Sequence, residues 1–277
     1  MMEKTGRISI FAAGSLRRAL PRALNAAAIE ADVVYGPAGL LAGRIAAGER
    51  PDLLLSADLG NPRALRRAGI GLEVLPWVGN RLMIVMPRRG PAARRLDALT
   101  LLKTGRNPAL PLWLELLLTP GLRIGTSTLK ADPGGDYAAA LLAGAAKYGA
   151  AYPAVLRAKS RALVGGVVPA AGRPALSVKE NLLLRRADVF LSYASNRANY
   201  PESDFRFAEI PPADQPHVRY GILVLSAAGR SAARGLLTNR AVEAMRSAGF
   251  LTSRLRTLWE DSSSAMAPRW YRRRVLM

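Results

Sequence analysis

The residues best placed to do chemistry in this chain are few, and the first is Ser15. It follows RISIFAAG, in which Ile8 to Phe11 reads as a buried strand and Ala12-Ala13-Gly14 as a small-residue turn. Ser15 then falls at the N-cap of an amphipathic helix expected from Leu16 to Ile29. A helix N-terminus leaves backbone N–H groups unpaired and carries a partial positive charge, so strand, turn, serine and helix together form a cradle for an anion. Ser15 taken alone fits a second reading better, as a cap serving only its own helix. The pattern recurs. Asp32 to Tyr35 leads into GPAGLLAGRIAAGE (36–49), and LRIGTST (122–128) leads into DPGGDYAAALLAGAAKYG (132–149), with a helix beginning near Asp136. A weaker copy is GRPALS (172–177), followed by a helical run to Arg186 and a strand from Val189 to Tyr193. Turns poor in side chains let backbone approach a ligand closely. Four such termini could converge on one ligand, although every α/β protein has turns of this kind.

Other chemistries are thinly supplied. The single histidine, His217, stands beside Pro216 in a proline-marked linker, so a Ser-His-Asp arrangement would depend on it entirely and a metal site cannot be built from it alone. The chain has no cysteine, which excludes thiolate metal sites and disulfides. Asp52 and Asp58 flank the strand LLLSA as a possible carboxylate pair, but turn formation and helix capping suit them better. No G-x-S-x-G, P-loop or dinucleotide glycine pattern is present. These observations point to a binding protein with no catalytic residue, no cofactor and no cation site.

The elements that must position these loops alternate along the chain. Strands are expected at Ile8–Phe11, Asp32–Tyr35, Leu53–Ser56, Arg81–Met86, Leu122–Gly125, Val189–Tyr193 and Tyr220–Leu225. Helical runs separate them, including Leu40–Ala47, Pro62–Ala68 with Pro62 at its first position, Ala232–Leu237 and Ala241–Ala248. Gly249-Phe250 reads as a helix-closing glycine followed by an apolar contact. Short apolar strands alternating with helices imply largely parallel sheets covered on both faces. Gly90 to Leu112 reads as an irregular excursion, Val164 to Pro174 as a loop, and Pro211, Pro212 and Pro216 as a linker.

Half of the 277 residues are apolar, enough for a full core in one large or two small domains. No apolar run reaches the roughly 18 residues a membrane span needs. Met1 to Gly6 is polar, which does not resemble a signal peptide. The net charge of +20 admits a nucleic-acid-binding reading, since 34 of the 40 basic residues are arginine. They are scattered singly or in pairs, however, with one dense stretch at Arg269–Arg274 in the tail 251–277, and no nucleic-acid-reading motif accompanies them.

At this point the motifs resemble those of the molybdate/tungstate-binding proteins that serve ABC transporters. FAAGSL (11–16) is similar to that family's first ligand loop, PDLLLSAD (51–58) to its strand after the second helix, and LRIGTST with DPGGDY to its third loop. RADVFLSYASN (186–196) resembles the segment holding its ligand-proximal tyrosine, AEIPPADQPHVRYGILVL (208–225) its crossover, and AGF (248–250) its final helix. The resemblance implies a two-domain α/β fold of the class II periplasmic-binding-protein type. Each lobe would be a mostly parallel sheet flanked by helices, with a hinge of two crossover segments: lobe 1 from 1–82 plus 219–277, lobe 2 from 83–218. It implies a monomer that binds molybdate or tungstate between its lobes and passes it to an ABC permease. Carried onto this sequence, it makes Ser15 a hydroxyl donor from one lobe and Tyr193 from the other. Backbone N–H donors would come from Gly14, Ala38, Gly39, Gly134 and Ala175. The second loop, Tyr35-Gly36-Pro37-Ala38-Gly39, lacks the serines usual there, leaving backbone donors alone. Asp132 and Glu180 lie near the regions where a tungstate-type branch places carboxylate ligands, Glu180 only if several residues are deleted. The protein is expected outside the cytoplasm if a signal segment precedes this chain, and otherwise to act as a cytosolic oxyanion sensor of the same fold.

Overall fold

The computed structural model describes residues 7–103, 110–166 and 175–252. The chain forms two compact units, one from 1–80 with 217–277 and one from 81–216. Following the chain, the first unit opens with β1 (Ile8–Ala13), a 3-10 turn at Gly14–Leu16, α1 (Leu20–Ala26), β2 (Ala31–Gly36), α2 (Ala38–Ala46), β3 (Leu53–Ser56), α3 (Gly60–Arg67) and β4 (Glu73–Asn80). The second unit holds β5 (Leu82–Pro87), α4 (Pro91–Lys103), α5 (Leu112–Leu118), β6 (Ile124–Ser127), α6 (Pro133–Gly144), α7 (Tyr152–Lys159), β7 (Ser160–Val164), α8 (Val178–Leu183), β8 (Val189–Tyr193) and β9 (Phe205–Glu209). The chain then returns to the first unit as β10 (Val218–Val224), α9 (Ala227–Leu236) and α10 (Asn239–Ser247).

Each unit is built on a five-stranded sheet, ordered β2-β1-β3-β10-β4 in the first and β7-β6-β8-β5-β9 in the second. In the first, β1 runs parallel to β2 and β3, while β10 is antiparallel to β3 and β4. In the second, β6 runs parallel to β7 and β8, while β5 is antiparallel to β8 and β9. The sheets are therefore mixed, and the one reversed strand in each is the first to enter after the chain crosses from the other unit. Beside it, β3 and β8 are buried along their whole length, as continuous apolar runs covered on both faces should be. Phe11, Leu41, Ile45, Leu54 and Leu223 centre one core, and Val85, Leu182, Phe190 and Phe205 the other.

Three expectations are revised. The first helix does not run from Leu16: α1 starts at Leu20, with Pro21 in its first turn. A helix from Leu16 would have Pro21 in its interior, where proline removes a hydrogen bond and clashes with the preceding turn. Gly90 to Leu112 is not an excursion, because α4 occupies Pro91–Lys103 and buries Ala92, Ala93, Leu96 and Leu99 on one face. Pro62 is the third residue of α3 rather than the first. Gly249 does close α10, at φ +89°, with Phe250 buried behind it. The tail from 253 onward, with Arg269–Arg274, lies outside the described residues.

Candidate functional site

In the first unit the ends of β1 and β2 lie side by side, with Ala13 opposite Gly36. The two turns that follow are neighbours: a Cβ on Gly14 would stand 3.9 Å from the Gly36 carbonyl oxygen. Gly14 is exposed and Ser15 half-buried. Ser15 is not an N-cap. It sits inside the 3-10 turn, whose capping position is Ala13, and no side chain caps it. Its Oγ instead lies 2.7 Å from Tyr220 Oη, and Asn80 Nδ2 donates to the same phenol oxygen at 3.4 Å. Two residues on, Arg17 stacks over the Tyr35 ring at 4.6 Å. Burial pushes the Tyr35 phenol up, against the pull of Arg17. Ala38 and Gly39 open α2, and Pro37 before them contributes no capping side chain. Their N–H groups therefore belong to a first helical turn without a side-chain acceptor.

The second unit treats its first loop differently. Asp132 caps α6, its Oδ1 accepting from Gly134 N–H at 3.1 Å, and Gly135 N–H donates to the Asp132 carbonyl at 2.8 Å. The amide expected to serve a ligand at Gly134 thus has an acceptor within the protein. A Cβ on Gly135 would come within 2.6 Å of the Ser127 carbonyl oxygen, so only glycine lets α6 start this close to the end of β6. Tyr193 ends β8 and is buried, its ring edge-on to Tyr137 of α6 at 6.4 Å. Tyr193 thus packs against the helix that Gly134 opens. Ala175 is exposed ahead of α8. Glu180 does not act as a free carboxylate: with Ser177 it forms a reciprocal cap on α8, and the Ser177 hydroxyl and amide hold its carboxyl below the ordinary range.

The remaining candidates have structural work. Asp52 accepts from Ser9 N–H at 2.8 Å and from the Ser226 hydroxyl at 2.5 Å, tying β1 to the start of α9. Asp58 accepts from the Ser56 hydroxyl at 2.7 Å and from Asn61 N–H at 3.2 Å at the start of α3. His217 is exposed. Among the described residues, no group of three or more His, Asp or Glu could hold a metal ion, and no helix is long and apolar enough to cross a membrane.

A family model described as bacterial extracellular solute-binding protein matches residues 8–251. The chain belongs to that family. A curated relative of this solute-binding protein is the uncharacterized protein PM1146 of Pasteurella multocida, 32% identical over 227 residues, spanning 79% of this chain and 87% of the relative. Its fold is similar to that of the sulfate-binding protein SubI from Mycobacterium tuberculosis (TM-score 0.65, 16% identity, 92% of this chain and 90% of that one). It is also similar to the periplasmic molybdate-binding protein of Azotobacter vinelandii (TM-score 0.61, 15% identity, 89% of this chain and 100% of that one). Other structures of the same fold carry iron or fructose-6-phosphate. The two-domain periplasmic-binding-protein fold is thus the one the sequence implies, while ligands differ among its bearers. Sequence reasoning overlooked Tyr220 and Asn80. Each is a polar residue in a segment that is buried in the sheet, and neither is near Ser15 in the chain.

Proposed function

We propose that this solute-binding protein takes up a tetrahedral oxyanion, molybdate or else tungstate, and delivers it to an ABC permease. Ser15 of the first unit and Tyr193 of the second are its hydroxyl donors, and Ala38 and Gly39 donate through their N–H groups. The observation that carries the reading is the hydroxyl of Ser15, freed from capping and seated at a turn beside the uncapped start of α2. A dianion leaving water needs dipoles to replace its hydration. Hydrogen bonds to a charged group contribute about 1.5–3 kcal/mol each. A handful of them, after the cost of desolvation, supports micromolar binding, about −8 kcal/mol. Fixed donors select by size, because an anion smaller than the ring of donors cannot reach them all.

The reading is of binding rather than catalysis, since the carboxylates of Asp52, Asp58 and Glu180 are engaged in structural hydrogen bonds. The extracellular description of the family favours delivery to a permease over cytosolic sensing. The charge of +20 then serves anion capture, which should slow as salt rises.

A thermal-shift screen tests the proposal. With molybdate, tungstate, sulfate, phosphate, ferric iron and fructose-6-phosphate supplied in turn, the unfolding midpoint should rise with molybdate and tungstate. Saturation at a hundred times Kd adds about 2.7 kcal/mol of stability. A rise with iron or the sugar phosphate alone would refute it.

A further inference from the structure

Among the described residues, four cations stand over aromatic rings, and three of these also carry a carboxylate. Arg44 over Phe11 pairs with Glu49 at 2.5 Å, Arg197 over Phe207 pairs with Glu202 at 2.9 Å, and Lys147 over Tyr148 pairs with Asp214. The fourth is Arg17 over Tyr35, and among the described residues it forms no ion pair. Its place is set from two sides. Arg17 closes the 3-10 turn that holds Ser15, its N–H donating to the Gly14 carbonyl at 3.2 Å. Tyr35 is the last residue but one of β2, opposite Ala12, and the chain runs on from it through Gly36 and Pro37 into α2. The guanidinium is therefore seated at the end of the sheet where the turns after β1 and β2 lie side by side, the end that also presents Ser15, Ala38 and Gly39. The ring beneath it is half-buried, while Arg17 itself is exposed. A ring fixes a guanidinium and leaves its charge available, whereas a carboxylate cancels it.

We propose that Arg17, seated on Tyr35, is the charge-selecting residue of the oxyanion site: it favours tetrahedral anions of charge −2 over those of charge −1, and the ligand is the counter-ion that the fold withholds from it. This rests on the oxyanion reading above. Molybdate and perrhenate are both tetrahedral and unprotonated at pH 8, and they differ in charge. The attraction of a fixed cation grows in proportion to the charge on the anion. The factor by which Arg17 strengthens a dianion is then the square of its factor for a monoanion held in the same place. An exposed cation acts through water, so salt screens its attraction. A hydroxyl that touches the ligand, as Ser15 is assigned to do, is screened far less.

The experiment is isothermal titration of molybdate and of perrhenate, at pH 8 and at about 20 mM and about 500 mM salt, into the wild type, Arg17→Gln, Arg17→Lys, Tyr35→Leu and Arg67→Gln. Arg67 is an exposed arginine in the last turn of α3, which leads back to the start of β4 at the opposite end of the sheet. At low salt Arg17→Gln should weaken molybdate about tenfold and perrhenate about threefold, and at high salt the molybdate loss should shrink to about twofold. Arg17→Lys keeps the charge and should restore most of the affinity. Tyr35→Leu leaves the charge without its seat and should lose about threefold. Arg67→Gln should lose about twofold at most. A loss in Arg17→Gln of the same size at both salt concentrations would overturn the proposal, because the side chain would then only hold the turn in shape. So would equal losses for the two anions, an Arg17→Lys protein as weak as Arg17→Gln, a Tyr35→Leu protein indistinguishable from the wild type, or an Arg67→Gln protein as weak as Arg17→Gln. If the wild type does not hold perrhenate measurably, the salt series and the lysine variant decide. Wild-type protein that binds no oxyanion marks failure of the functional reading itself, whereas wild-type binding of molybdate that Arg17→Gln leaves intact marks failure of this proposal alone.

Discussion

The two units share one strand plan and use it in opposite ways. In both, the second strand in the sheet order opens a loop and the reversed strand comes from across the chain. In the first unit, Pro21 delays α1 and leaves Ser15 in a tight turn, backed by the neutral pair Tyr220 and Asn80. In the second, the chain turns through Thr128 to Ala131 after β6, and the start of α6 is closed by a carboxylate, Asp132. The buried polar groups follow suit. The second unit buries Asp188, paired with Arg123, and Asp214, which accepts from Trp113 Nε1 at 2.6 Å and Tyr148 Oη at 2.8 Å and pairs with Lys147. A helix start after a strand is thus an anion site only where the protein has not already supplied the anion. In this molecule the start of α2 in the first unit has no side-chain cap, whereas at the start of α6 in the second unit Asp132 takes up the Gly134 amide.

The largest effect expected from breaking this contrast is at Gly135. Gly135→Ala forces a Cβ against the Ser127 and Thr128 backbone and should cost about 3 kcal/mol, the upper range for overpacking. Amide exchange should accelerate in β6 and α6 while β1 and β2 keep their protection. Equal acceleration in both units would erase the distinction.

Next is acid. Burial would raise the Asp214 carboxyl, but hydrogen bonds from Lys147, Trp113 and Tyr148 outweigh it and hold the group below the ordinary range. Asp188 is likewise raised by burial and lowered further by Arg123. A carboxyl depressed in the folded state stabilises above its unfolded value, near 3.9, and that stability drains as pH falls through the folded value. The second unit should therefore loosen first when pH drops below about 4, followed by unit-resolved amide exchange. Asp214→Asn should cost about 2 kcal/mol at neutral pH by leaving buried donors poorly matched. It should also flatten the acid limb of the urea midpoint.

The smallest effect sharpens the comparison at Asp132. Asp132→Asn keeps a good N-cap residue, so stability should move by only a few tenths of a kcal/mol. It removes a negative charge from the start of α6, and molybdate affinity should rise by about 0.5 kcal/mol. A drop in affinity, read by titration, would mean the carboxylate helps the ligand rather than competing with it.

Much of the fold was legible. Continuous apolar runs such as LLLS and VFLSY mark strands buried on both faces, and their spacing between helical runs gives the α/β class. What escaped has identifiable causes. EVLPWVGN is not among the expected strands; it carries Pro76 and Gly79, yet β4 lies at a sheet edge, where a missing N–H is tolerated. PAARRLDALTLLK is obscured by the turn-rich PRRGP and Gly105–Pro111 on either side of it, and its buried face is narrow and partly alanine. At the site, the turn before Ser15 was visible but the helix start was misplaced, although Pro21 carried the signal. The capping of Gly134 was written in Asp132-Pro133, an N-cap followed by a first-turn proline. The contact of Ser15 with Tyr220 spans 205 positions and leaves no local pattern, so only the three-dimensional sheet discloses it.

The central claim, that hydroxyls of Ser15 and Tyr193 hold a tetrahedral oxyanion, is tested most directly by titrating molybdate calorimetrically into the wild type, Ser15→Ala and Tyr193→Phe. Micromolar or tighter binding by the wild type, weakened by about 1–3 kcal/mol in each variant without loss of folding, is the predicted result. Identical affinities in all three proteins, or no heat of binding in the wild type, would contradict it.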